Sequence, residues 1–403
     1  MMTVDLPAAP ERAGALHGLD EGAFAAVLAR ITERAEHHDH TGEFPYASFA
    51  ELHALGAQAL TVPSEYGGQG AGVAEAVEVI ERVGAADPSV GLILQWNYTN
   101  HLQLRRPDSP WPQGLRDLVF RTAVTDGALI NGLAVEKELG SQSRGGIPAT
   151  TATRLPDGHW RIDGEKAYAT GISGLRWFTV TASTTEPDPK VVTFLLDRDT
   201  PGWEVLPTWD HLGLRASDTQ SVRFDGARVP DDRIVDLRDP NDGTAKVRAV
   251  GRQALPLLLA ANYNGVSTAA RDWLVRYLHH RVPTALGASL ATVPRFHDSV
   301  GEIEAQLQTS RALLRQAVRA VESGDDHSPL PGLAKHVATT TAIRITESAL
   351  DLTGNPGLSR SNPLERHHRN AMVGRVHFPQ SDFLITNLGR SALAAGAPEE
   401  SAS

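Results

Sequence analysis

The residues 366–380, RHHRNAMVGRVHFPQ, place several proton-handling side chains near the carboxyl end of the chain. His377 is followed by Phe378 and Pro379, and an imidazole with an ordinary pKa of about 6.5 donates and accepts protons around neutrality. A histidine of this kind is either a catalytic group or a partly buried ring bonded to a backbone carbonyl. A second group, QWNYTNH at 95–101, puts Asn97, Tyr98 and His101 on successive turns of a helix. It predicts either one wall of a pocket or a core helix with polar residues at its rim. The run EHHDH at 36–40 could chelate a metal, but no further cluster with ligand spacing accompanies it, so it reads as a solvated charge run and no metal site is expected. The chain has no cysteine, which excludes disulfides, thiolate metal sites and a cysteine nucleophile.

The elements that must position these groups follow a plain order. Residues 20–125 read as helix: Phe24, Val27, Leu28 and Ile31 recur at three-and-four spacing, and GVAEAVEVIERVGAADPS resumes that period and stops at a proline. From about 129 to 235 the pattern changes to strands. TATRLPDGHWRIDGEKAYATG alternates around a Pro-Asp-Gly turn, WFTVTAST and VVTFLLD are β-branched and aromatic, and SVRFDGARVP alternates again. No crossover helices separate these runs, so antiparallel pairing is expected. Beyond about 245 the helical period returns, with Val300, Ile303, Leu307, Leu314 and Val318 on one face and Leu333, Val337, Ile345, Ala349 and Leu352 on another, ending at Gly324 and Gly354. The expected fold class is α+β: a flexible start at 1–20, a helical domain at 21–128, an antiparallel β-domain at 129–240, a four-helix bundle at 241–395 and a frayed tail at 396–403.

Composition narrows the setting. The 403 residues are 41% hydrophobic and 21% charged, ordinary values for a folded chain of two or three lobes. With 38 basic and 48 acidic residues the net charge is -10, which opposes binding to nucleic acid or anionic lipid. The longest greasy run, ALPLLLAA at 254–261, falls well short of the ~20 residues of a membrane span. No signal peptide is recognisable at the start, so a cytoplasmic location is expected. The glycines of YGGQGAG neither complete Gly-x-Gly-x-x-Gly nor follow a strand, which disfavours a nicotinamide fold.

Five segments in this order resemble the acyl-CoA dehydrogenase superfamily: LTVPSEYGGQGAG, LAVEKELGSQSRGG running on to EKAYATG, LGLRASDTQSVRFDGARVP, AKHVATTTAIRITESALDLTGNPG, and the RHHRNA segment. The resemblance implies a flavin, FAD or FMN, with Tyr168, Ala169 and Thr170 at its ring and Gly140 and Ser141 at its pyrophosphate. It also implies a homotetramer in which Arg281, and the loop holding Gly354 and Gly357, reach a neighbouring subunit's cofactor.

That family abstracts a proton with a glutamate, and the matching column here holds Phe378. The helix that carries the base in other members has no acidic residue before Asp272. His-x-Pro at 377–379 and the GEKAYATG segment are instead similar to the class D, dibenzothiophene-monooxygenase-like flavoenzymes on the same fold. Those enzymes take reduced flavin from a separate flavin reductase and use oxygen to hydroxylate a small organic substrate. The expected activity is therefore a monooxygenase with His377, Phe378, Asn97 and His101 in the pocket. The alternatives are a dehydrogenase with another base such as His377, and a non-catalytic flavin or acyl-thioester binder.

Overall fold

Asp20 opens the first helix by accepting a hydrogen bond from the Ala23 amide at 2.7 Å. In the computed structural model, which describes residues 18–138, 147–240, 253–325 and 327–395, the amino-terminal part is helical: α1 (Glu21–Thr41), α2 (Tyr46–Ala54), α3 (Val73–Ala86), α4 (Pro88–Leu104) and α5 (Gln113–Thr125). Phe24, Val27 and Ile31 of α1 are buried, with Leu28 partly so. Pro88, which reads as a stop in the sequence, does end α3 but also begins α4. Asp87 caps the Ser89 amide at 2.8 Å, and a proline in the first turn lacks only an N–H that would have had no helical partner.

The middle part is one sheet of eight strands: β1 (Leu129–Leu133), β2 (Thr151–Arg154), β3 (His159–Ala169), β4 (Leu175–Thr184), β5 (Val191–Asp197), β6 (Trp203–Leu206), β7 (Gln220–Pro230) and β8 (Ile234–Arg238). The order is β6-β7-β3-β2-β4-β5-β8, with β1 also on β4. The Pro-Asp-Gly hairpin joins β2 to β3 as expected. Two pairings, β1 with β4 and β2 with β4, are parallel. After β3 the chain passes to the far side of β2 through a short link, so a parallel neighbour arises without a crossover helix.

The carboxyl-terminal part has three long helices, α6 (Ala254–His280), α7 (Pro294–Glu322) and α8 (Leu330–Thr353), then the single turn α9 (Asn355–Leu358), α10 (Leu364–Val373) and α11 (Ser381–Ala395). Helix α6 packs on α7 and α8 and also on α3 and α4 of the amino-terminal part. The α3–α6 crossing is close enough to require glycine: a Cβ on Gly265 would lie 2.4 Å from the Glu81 carbonyl oxygen. The core side of α8 is formed by Ala334, Lys335, Ala338, Ala342, Ile345 and Ala349, while Leu333, Val337 and Leu352 are only partly buried. Among the described residues, no helix is long and apolar enough to cross a membrane.

The three parts meet at Arg369 on α10. Its guanidinium holds both carboxylate oxygens of Asp39 on α1, at 2.9 and 2.6 Å, and Glu365 at 2.6 Å, and it donates to the Leu212 carbonyl at 3.0 Å. Beside it, the Leu214 amide donates to Asn370 Oδ1 at 2.8 Å and Arg215 donates to the Asp39 carbonyl at 2.7 Å. Gly213 has no room for a side chain, since a Cβ would sit 2.4 Å from the Arg369 carbonyl oxygen. Asp39 belongs to the EHHDH run, which is not uniformly solvated: His38 is buried and Asp39 sits in this largely buried pair, while Glu36, His37 and His40 are exposed. Removing one member of such a pair leaves an uncompensated charge, so Arg369→Ala is expected to cost about 3 kcal/mol in urea unfolding, whereas Arg161→Ala, from an exposed pair with Asp163, costs under about 1 kcal/mol.

Candidate active site at the carboxyl-terminal turn

Helix α10 ends at Val373, and the chain turns immediately through Gly374. A Cβ there would lie 2.9 Å from Thr339 and 3.1 Å from the Tyr263 ring, so the turn is pressed against α8 and α6. It delivers His377 to Tyr263, a fully buried residue of α6, with the phenol oxygen 3.0 Å from Nδ1. From α8, the fully buried Lys335 donates to the carbonyls of Gly374 at 3.1 Å and His377 at 2.8 Å. Phe378 follows, 38% exposed, its ring 6.1 Å from that of Phe383, and its peptide bond to Pro379 is cis.

The electrostatics make this a neutral pair. Burial, reinforced by the Lys335 charge, lowers His377 to about 3, and burial raises the Tyr263 phenol. Burial lowers Lys335 to about 8. Among the described residues, no carboxylate hydrogen-bonds to His377 or Tyr263. An imidazole this weakly basic is a poorer proton abstractor than an ordinary carboxylate of about 4.3. It still presents one N–H donor and one lone pair, which suits it to hydrogen bonding rather than to removing a carbon-bound proton.

On the sheet, β3 ends in a register shift between Lys166 and Ala169, and Tyr168 adopts φ 58, the left-handed region that aromatic residues rarely enter. Its ring is 56% exposed. Ala169 is buried, and Thr170 lies in a hydroxyl chain in which Thr219 donates to Thr170 Oγ1 at 3.1 Å and Asn131 donates to the Thr170 carbonyl at 3.0 Å. Edge-on to Tyr168, at 6.5 Å and 88°, is His211, which stacks on Trp209 at 3.6 Å. Trp209 is fixed by its indole N–H to the Leu214 carbonyl at 3.1 Å and its amide to Gln220 at 2.8 Å. The sequence analysis singles out neither Trp209 and His211 nor the Tyr263 and Lys335 that frame His377, although Lys335 lies inside the AKHVATTT segment. Just upstream, the buried ion pair of Lys166 and Glu136, at 2.5 Å, together with the Ala149 amide at 2.7 Å on Glu136, holds the flanks of 139–146 to β3. Gly140 and Ser141 lie outside the described residues.

The other predicted residues are more dispersed. Asn97 is buried and donates to the Gln58 carbonyl at 3.0 Å while accepting from the Ile130 amide at 3.1 Å, so it joins α4 to β1. His101 is fully buried, 3.4 Å from the Thr61 hydroxyl and edge-on to Phe120. Arg281 caps the end of α6 and is exposed. Gly354, at φ 61, ends α8, and Gly357 is buried where a Cβ would meet Thr353 Oγ1 at 2.2 Å. A cavity of about 340 Å³ opens beside the His377 turn between α8 and Arg375 and Ser381. Among the described residues, no group of three His, Asp or Glu is placed to hold a metal.

Burial lowers His101 to about 3. The unfolded chain therefore binds a proton below about pH 6.5 that the folded chain does not, and stability falls as pH drops from there toward 3, at about 1.4 kcal/mol per pH unit for this one group. His101→Gln is expected to flatten the pH dependence of the unfolding free energy by that amount between about pH 5 and 6, as read by urea titration.

Comparison with known proteins agrees with this architecture. Family models described as the N-terminal, middle and C-terminal domains of acyl-CoA dehydrogenase match residues 19–102, 134–227 and 257–381. The chain is 29% identical over 369 residues to the putative acyl-CoA dehydrogenase YdbM of Bacillus subtilis (strain 168), covering 91% of this chain and 94% of that protein. Among solved structures, KijD3 in complex with dTDP superposes with a TM-score of 0.79 at 27% identity, over 93% of this chain and 95% of that one. FMN-bound TdsC from Paenibacillus sp. A11-2, a dibenzothiophene monooxygenase, shares the fold with a TM-score of 0.83 at 23% identity, over 94% and 98% of the two chains. With three consecutive domain models matched in order along one fold, this chain belongs to the acyl-CoA dehydrogenase superfamily.

Proposed function

We propose that this protein is a flavin-dependent monooxygenase that receives reduced flavin from a separate reductase and oxygenates a small organic substrate. The observation that carries the reading is the turn at 374–378, with a neutral His377 held by Tyr263 and followed by Phe378, where the resemblance would put the family's glutamate. The relatives whose structures contain FMN, TdsC and KijD3, support a flavin on this fold. The exposed Tyr168 ring and the Thr170 hydroxyl chain fit one. An aromatic face suits the isoalloxazine, and the hydroxyl and backbone groups of Ala169 and Thr170 suit its pyrimidine edge. Gly140 and Ser141, with Arg281, Gly354 and Gly357 from a neighbouring subunit, would hold its phosphate part, and the assembly would be a homotetramer. A bound flavin supplies electron transfer to oxygen. The chain's own part is to orient that ring, exclude water and offer the His377 N–H as a hydrogen-bond donor. The name of YdbM favours a second reading, an acyl-CoA dehydrogenase, for which the weak basicity of His377 leaves no strong proton acceptor at the turn.

The two readings separate in one pair of measurements. Oxidised, flavin-loaded protein mixed anaerobically with a panel of acyl-CoA thioesters is expected to keep its flavin absorbance, and bleaching on the timescale of turnover would overturn the proposal. Supplied with reduced flavin and oxygen, the protein is expected to change the flavin reoxidation trace from that of free flavin. His377→Ala is then expected to lower oxygenating turnover by about 100-fold and to leave flavin affinity within about threefold, since no direct flavin contact is assigned to His377.

A further inference from the structure

Lys335 is out of place on its own helix. Its neighbours on the inward side of α8 are Ala334, Ala338 and Ala342, and it is as fully buried as they are. Stripping an ammonium of water is costly unless it is paired, yet its hydrogen-bond acceptors are two main-chain carbonyls, Gly374 and His377, and among the described residues no carboxylate forms an ion pair with it. Both carbonyls lie just beyond Val373, where α10 runs out of helical N–H partners and its dipole presents partial negative charge. The cation is thus balanced by a helix end rather than by an acid.

We propose that Lys335 is the positioning residue of the active-site turn: its ammonium ties the carbonyls at 374 and 377 to α8 and so fixes the backbone from which the His377 imidazole meets Tyr263. The inference rests on the reading of His377 as an active-site group, and two helices share its geometry. Tyr263 on α6 bounds the imidazole, Thr339 and Lys335 on α8 bound the turn, and Thr339 Oγ1 itself accepts no slack, donating to the Lys335 carbonyl at 2.9 Å. A neutral donor would satisfy the carbonyls. A cation adds a positive field at the imidazole that opposes its protonation, and this separates a positioning role from simple helix capping. The titratable and charged neighbours are Tyr263, His336, His377 and Arg375, and burial lowers Lys335 itself to about 8.

The test uses the full-length protein without flavin or oxygen, so its outcome is independent of whether the enzyme is a monooxygenase. Lys335→Met keeps the stem and removes the donor and the charge, and ring-nitrogen NMR then follows His377. The expected result is a His377 midpoint at least about one pH unit higher than in the parent, a tenfold change in proton affinity, with altered ring shifts from a loosened Tyr263 bond and recovery of the parent pattern in Lys335→Arg. A folded Met variant with unchanged His377 signals overturns the proposal. The parent protein gives the second measurement if the Met variant does not fold. Raising pH through the Lys335 midpoint near 8 is expected to shift the His377 ring resonances with the same midpoint as the Lys335 side-chain nitrogen, and a flat His377 signal across that step overturns it equally.

Discussion

An ammonium group buried among alanines has to find acceptors, and the two that Lys335 finds belong to the turn that carries His377. That pairing makes the position of the turn depend on α8, just as the absence of space at Gly374 makes it depend on α6. The imidazole cannot move far without breaking one of these contacts. A fixed position of this kind is what the proposed role of the imidazole requires.

The same arrangement decides which chemistry is accessible. Burial and a neighbouring cation both disfavour charge on His377, and burial disfavours it on Tyr263, so the pair enters any reaction uncharged. A base for a carbon acid would need the opposite surroundings, a nearby anion or good solvation, to gain affinity for the proton. The sheet offers an exposed tyrosine in a strained backbone state and a Trp209–His211 stack beside it. Strain of that kind persists only where the surroundings enforce it, here through the register shift at the end of β3 and the Thr170 amide on the Tyr168 carbonyl.

Local periodicity in the sequence was enough to find the helices, the Pro-Asp-Gly hairpin and the three-part order, because each of those depends on neighbours a few residues away. The parallel pairings of β4 with β1 and β2 were illegible for the opposite reason, since they depend on which side of β2 the chain passes. Pro88 was ambiguous because the same missing N–H ends one helix and begins another. His377 stood out by its motif, but Tyr263 and Lys335 did not, since a tyrosine and a lysine on helices ordinarily mean core and surface. The spacing of Asn97 and His101 placed them correctly on one helix, and only the fold shows them bonded to Gln58, Ile130 and Thr61.

The ion pair between Asp39 and Arg369 spans 330 positions of the chain. At a synthesis rate of about 5–20 residues per second, the carboxylate leaves the ribosome roughly 15–65 s before its guanidinium exists. The greasy side of α1 need not wait so long, because α2 and α3, which follow directly, pack against it. At this pair a hydrated acid waits during translation, and a hydrated acid does not aggregate. The inner faces of α3 and α4 wait as well, as apolar surface, until α6 is made to cover them.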